Sequence, residues 1–183
     1  MKTSASHPIR VDWVYINDQK GKVGLTFCPG KKQKYAMTGS WNRDLDMDMT
    51  GLKDEGCAAL VTLMEAQELE AVEVPKHQLE KITQTYGMDW FFLPIKDAGI
   101  PDSEFERSWN VAGKRLISLL NDKQSIVVHC LGGLGRSGTI AARLLVELGI
   151  DPDDAIIRVR QSRPGAIETK AQEQYVRQKG WLS

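Results

Sequence analysis

No apolar run in this sequence approaches the length of a membrane-spanning helix, and Met1 to Trp13 hold no apolar stretch of signal-peptide length. Cysteine is scarce: three in 183 residues, an odd number, with no Cys-x-x-Cys pair. That argues against a disulfide framework or a zinc knuckle, and a reducing, cytoplasmic setting is the expectation. Net charge is absent too, since 24 basic side chains offset 24 acidic ones. Neither nucleic acid nor a membrane is therefore predicted as a partner. The glycine-rich stretch after Cys130 has no lysine between Gly132 and Thr139, which excludes a nucleotide-binding Gly-Lys-Ser/Thr loop. Internal repeats, linkers and low-complexity segments are missing as well.

What is present is the material for one domain with a sizeable core, 42% hydrophobic and 26% charged. Residues 1 to 8 are polar and expected to be loose, leaving 9–183 as the folded unit. Val11–Ile16 and Val23–Phe27 read as a hairpin around the turn Asn17–Gly21. The segment from Cys28 to Tyr35 is read as a solvated loop. Its Lys31, Lys32 and Lys34, with the later Arg43, could otherwise flank an anionic substrate. A helix over Leu45–Glu55 follows, then Cys57–Met64, whose apolar character on both faces predicts a central strand covered by helices on both sides. The expected fold is therefore α/β, a single domain with a mostly parallel sheet.

Helices are predicted over Glu65–Val72 and Pro75–Tyr86, then a strand over Trp90–Ile95. The next helix starts at Asp102-Ser103, with Phe105, Trp109, Ala112, Leu116 and Leu119 on its buried face. Two further helices are expected, one capped by Asp151-Pro152 and running to Val159, the other from Thr169 to Gln178.

The most informative stretch is His129-Cys-Leu-Gly-Gly-Leu-Gly-Arg-Ser-Gly138, between the apolar run Ser125–Val128 and an amphipathic helix from Thr139. A tight strand-to-helix loop gathers backbone N–H groups and the positive end of a helix dipole around one point, and such a concavity binds an anion. Cys130 stands at its mouth, where helix termini and a nearby arginine favour thiolate over thiol. Arg136 follows at a distance that lets the chain curl round an oxyanion and return a guanidinium fork to it. Glycines at 132, 133, 135 and 138 keep side chains out of the cradle.

Cys-x5-Arg-Ser in this setting resembles the signature loop of the protein tyrosine and dual-specificity phosphatases. In them the cysteine is the nucleophile that forms a phosphocysteine, and the arginine binds the transferred phosphoryl group. Expulsion of an alkoxide or phenoxide needs a proton donor that a thiolate cannot be. Asp97, on a loop after a predicted parallel strand, is the preferred candidate; Asp102 is the alternative, though it also suits a helix N-cap.

Pro94–Asp102, the signature loop and Gly165–Tyr175 together resemble the cyclin-dependent-kinase-associated dual-specificity phosphatases, and Gly24–Gly30 is also similar. The resemblance spans roughly residues 12 to 180. It implies a catalytic domain of that family over 9–183, with Asp97 as general acid and Ser137 stabilising the departing thiolate. Gln172 either helps to place the hydrolytic water or is a solvated polar residue on the last helix. The phosphate would rest on the backbone of Leu131, Gly132, Gly133, Leu134, Gly135 and Arg136. His129 orders the loop through a hydrogen bond or is a plain core histidine. Arg163 ties the signature loop to the late loop or is solvated. Cys28 and Cys57 are the available disulfide partners for Cys130.

No metal and no cofactor is implied. The expected substrate is a phosphorylated protein, with phosphotyrosine and phosphoserine or phosphothreonine both accepted, and the resemblance suggests a protein kinase. Phosphoinositide or RNA 5′-phosphatase activity, arsenate reduction and phosphate binding without turnover are the alternatives.

Overall fold

The computed structural model describes residues 1–178. The chain opens with strands β1 (Asp12–Val14) and β2 (Val23–Thr26), followed by a small hairpin of β3 (Lys32–Gln33) and β4 (Trp41–Asn42). Then come α1 (Leu45–Asp54), β5 (Cys57–Thr62), α2 (Ala66–Ala71), α3 (Lys76–Thr85) and β6 (Asp89–Phe92). The second half runs α4 (Ser103–Asn121), β7 (Ser125–His129), α5 (Gly135–Glu147), α6 (Pro152–Ser162) and α7 (Lys170–Val176).

The main sheet has the order β1-β2-β7-β5-β6, with β2, β7, β5 and β6 parallel and β1 antiparallel at one edge. The helical crossovers group α1 with α3 against β5 and β6, and α4 with α5 against β7 and β2, so the sheet is covered on both faces. The central strands are apolar on both faces for that reason: Leu60 and Val61 of β5 and Ile126, Val127 and Val128 of β7 are all fully buried. The predicted α/β architecture is thus the observed one.

Local chemistry sets the element ends. Asp102 caps α4 by accepting from the amides of Glu104 (3.1 Å) and Phe105 (2.9 Å), a contact worth about 1 kcal/mol. Asp151 caps α6 in the same way, with Pro152 at the first helical position. The five apolar residues expected on the inner face of α4 are all buried there.

The segment read as a solvated loop departs most from expectation. Lys31 and Arg43 are buried, and Arg43 makes two 2.7 Å hydrogen bonds to the buried Asp48. Residues 1 to 8, expected to be loose, lie against the β3–β4 hairpin. The Lys2 amide donates to the Ser40 carbonyl (2.7 Å), the Asn42 amide donates to the Lys2 carbonyl (3.0 Å), and Ser4 is buried. Backbone pairing of this kind leaves no mark in side-chain composition, which is why a polar composition suggested looseness.

Candidate active site

The carboxyl ends of the parallel strands face one cavity of about 350 Å³, where Cys130, Leu131, Gly132, Leu134 and Arg136 meet Asp97, Lys31 and Glu168. β7 ends at His129, in register with Thr26 of β2 and Thr62 of β5, so the loop that follows starts from the middle of the sheet. α5 begins at Gly135. Its first amides have no partner within the helix and point, with the helix dipole, toward the loop.

Cys130 is almost wholly buried, and its Sγ accepts from the Gly133 amide at 3.2 Å. That contact depends on a left-handed turn, φ +74° at Gly133. A Cβ there would stand 2.3 Å from the Thr26 carbonyl oxygen, an immovable backbone atom. Gly133→Ala is accordingly expected to destabilise the fold by about 2 kcal/mol or more and to open the loop. A denaturant titration compared with the native protein checks this; an unchanged midpoint would mean that the loop is not fixed by this contact.

Arg136 is buried and held from several sides. Nη1 donates to Glu68 Oε2 (2.7 Å) and to the Ile95 carbonyl (2.9 Å), while Nη2 donates to Glu68 Oε1 (2.9 Å) and lies 3.2 Å from Asp97 Oδ1. Burial alone would raise the Glu68 carboxyl, but the Arg136 fork and the Glu65 backbone more than offset it, so its pKa lies below the usual carboxylate value. Glu68 was not singled out from sequence. It sits on the short helix α2 with its partner 68 positions on, and the signal for it was the Glu65–Glu68 capping pair, which only fixes where that helix begins.

Asp97 is largely exposed on the pocket rim, in a turn closed by the Gly99 amide donating to the Lys96 carbonyl. Asp102 does not line this pocket; its carboxylate is spent on the α4 cap. Ser137 is fully buried in the first turn of α5, and its Oγ has no hydrogen-bond partner among the described residues.

Gln172 is fully buried rather than solvated. Its Oε1 accepts from the amides of Glu168 (2.9 Å) and Thr169 (3.2 Å), and its Nε2 donates to the Gly99 carbonyl (3.1 Å). The side chain therefore links the late loop to the loop that carries Asp97.

His129 points away from the pocket, fully buried, with Nε2 2.8 Å from the Thr62 hydroxyl, which also accepts from the Trp90 indole (3.0 Å). Burial pushes its pKa down to about 4, so the imidazole is neutral at physiological pH. Arg163, at the end of α6 where the late loop begins, is not solvated: it donates to the Gly132 carbonyl (2.8 Å), which ties the signature loop to the start of the late loop, and it pairs with Asp12 of β1 (2.5 Å). All three cysteines are free. Cys57 lies opposite Ser125 at the far end of the sheet, out of reach of Cys130, whereas the Cys28 amide donates to the Leu131 carbonyl (3.3 Å).

A parallel sheet whose central strand delivers Cys-x5-Arg onto a helix N-terminus, faced by an aspartate loop, defines the class of cysteine-dependent phosphatases. The family model described as the Swiss Army Knife protein, DSP-PTPase phosphatase domain, matches residues 33–176. Cyclin-dependent kinase inhibitor 3 of Rattus norvegicus is 32% identical over 174 residues, 92% of this chain and 77% of that protein. The crystal structure of kinase-associated phosphatase with its catalytic-site cysteine replaced by serine is 31% identical, with a TM-score of 0.79 over 92% of each chain. A protein tyrosine phosphatase from Leishmania major shares the fold at 21% identity, with a TM-score of 0.68 over 93% of this chain and 99% of the other. The chain belongs to the dual-specificity and tyrosine phosphatase family. It is a cysteine-dependent protein phosphatase that works through a phosphocysteine intermediate.

Proposed function

We propose that this enzyme dephosphorylates a protein kinase phosphorylated on threonine or tyrosine, with Cys130 as nucleophile, Arg136 as phosphate clamp and Asp97 as general acid. The observation that carries the reading is the convergence of those three side chains on one cavity, with Arg136 already fixed by Glu68 and Ile95. Similarity to cyclin-dependent kinase inhibitor 3 supports a kinase as the substrate class. Three free, buried thiols suit a cytoplasmic enzyme.

In the proposed reaction, the phosphoryl oxygens rest on the backbone amides of residues 131 to 136. The guanidinium Nε and the Asp97-facing Nη2 hydrogen form the fork that meets them. When the phosphate takes the Nη2 hydrogen, the Asp97 carboxyl is freed to protonate the leaving oxygen as the Cys130 thiolate attacks in line. The S–P bond forms as the O–P bond breaks. Water then attacks phosphorus, Asp97 takes its proton, and the thiolate leaves. A buried hydroxyl without a partner costs about 1–3 kcal/mol, so the Ser137 Oγ is well suited to donate to that thiolate. Gln172 acts by holding Gly99, and with it the Asp97 loop, against the late loop.

Asp97→Asn is expected to lower kcat on phosphothreonine peptides by about 10²–10³-fold, the usual worth of general acid catalysis, and much less on a nitrophenyl phosphate whose leaving group needs little protonation. Equal losses on both substrates would remove Asp97 from the role. The substrate class is tested by phosphate release from phosphorylated kinases and their phosphopeptides, set beside phosphoinositides and 5′-phosphorylated RNA. Faster turnover of a lipid or RNA would overturn the reading.

A further inference from the structure

Arg136 carries one positive charge, and Glu68 already answers it with a two-pronged ion pair. Glu168 stands on the same cavity and adds further negative charge, and Cys130 as a thiolate adds more. A pocket meant for a phosphate dianion therefore needs another cation. Lys31 is buried on its wall, and among the described residues its Nζ forms no ion pair with a carboxylate. That Nζ donates to the Leu131 carbonyl at 3.1 Å, in the residue directly after the nucleophile.

The lysine is also built in firmly. Its ammonium lies 4.6 Å from the centre of the Trp41 ring and 5.2 Å from that of Phe27. The backbone before it is fixed by the Gly30 amide donating to Asp48 (2.9 Å), within the Arg43–Asp48 pair, and the Arg43 amide donates to the Lys31 carbonyl (3.2 Å). The aromatic box and the buried ion pair hold one ammonium at one edge of the signature loop.

We propose that Lys31 is a positioning residue of this active site: it holds the Leu131 carbonyl turned out of the phosphate cradle and supplies the positive charge that Arg136, paired with Glu68, does not. The inference rests on the phosphatase reading of the pocket. Burial lowers the Lys31 pKa to about 8, against the raising influence of Cys28 and Cys130. Its charge is therefore mostly present at pH 7 and lost as pH rises through 8. The other groups facing it are Arg43 and Arg163, each paired with an aspartate, and Cys28, whose thiol burial pushes up to about 12.

The test compares the native enzyme with Lys31→Arg and Lys31→Met, following kcat/KM for an aryl phosphate from pH 6 to 10. The native profile is expected to fall through pH 8. The Arg enzyme, whose charge persists, should lack that fall, and the Met enzyme should be about tenfold slower at pH 7 with no fall there either. Protection of Cys130 from iodoacetamide by inorganic phosphate should need about tenfold more phosphate in the Met enzyme. A native profile kept by the Arg enzyme, or phosphate protection unchanged in the Met enzyme, overturns the proposal. If the native protein hydrolyses nothing, the phosphatase reading fails by itself, while the protection experiment still decides the role of Lys31. If the Met enzyme does not fold, the native and Arg profiles decide it.

Discussion

Cys130→Ser is expected to lower turnover of an aryl phosphate by at least ~10⁴-fold while leaving the fold and phosphate binding in place. The reason lies in what surrounds the side chain. A serine hydroxyl needs a base to become a nucleophile, and the neighbouring imidazole cannot be that base. His129 is buried on the far side of the strand end, its Nε2 engaged with Thr62. Nor can Asp97 serve, because it lies against the Arg136 guanidinium and is assigned to the leaving-group side. Only a group that ionises by itself can attack here, which a thiol does and an alcohol does not. Hydrolysis assays on both proteins, with phosphate protection against a cysteine reagent replaced by direct phosphate titration in the variant, check the prediction. Retention of more than a few per cent of the activity would show that some residue other than Cys130 attacks phosphorus.

Arg136→Lys is expected to cost about 10³-fold in kcat/KM although the formal charge is unchanged. The guanidinium reaches both Glu68 oxygens, the Ile95 carbonyl and Asp97. An ammonium has three donors, and from a single point it cannot meet those acceptors and a phosphate together. The lysine would pair with Glu68 and leave the substrate without its fork. Steady-state kinetics decide the matter: a loss confined to KM would mean that the fork matters for binding alone, whereas loss in kcat as well places it in the transition state.

The parts of this fold that were legible in sequence are those whose physics is local. The capping role open to Asp102 is read from its place before an apolar periodic run, and its carboxylate accepts from two amides of α4. The two-faced apolar run from Cys57 announces a covered strand because burial on both sides favours apolar side chains throughout, and the one polar member, Thr62, is buried with its hydroxyl 2.8 Å from His129 Nε2. The Cys130–Arg136 loop carries its whole argument in ten residues.

What was illegible depends on distant pairing. Glu68 looks like one more acid on a short helix until β5 brings it against Arg136. Lys31 and Arg43 read as a solvated basic loop because the partners that bury them, Asp48 and the rings of Phe27 and Trp41, are themselves gathered only by folding. The sequence leaves Gln172 open between a working and a solvated residue. Its burial comes from contact with Gly99, 73 positions earlier, which no periodicity reports.

The parallel register of β2, β7, β5 and β6 divides the molecule into two rims with different freedom to change. Every group discussed as chemistry lies at the carboxyl ends. The amino ends are joined by short turns at 55–56, 86–88 and 122–124 and by the longer connection over 15–22. Gly56 and Gly87 turn the chain there in left-handed conformations, φ +86° and +69°, so those two positions favour glycine although little stands in the space beside them. The turns at 55–56 and 86–88 stand at the opposite end of the strands from the phosphate pocket, so a change of length there leaves the catalytic mouth in place, whereas the 15–22 connection is fastened to the end of α4 by the Gly21 amide donating to the Leu120 carbonyl (2.8 Å).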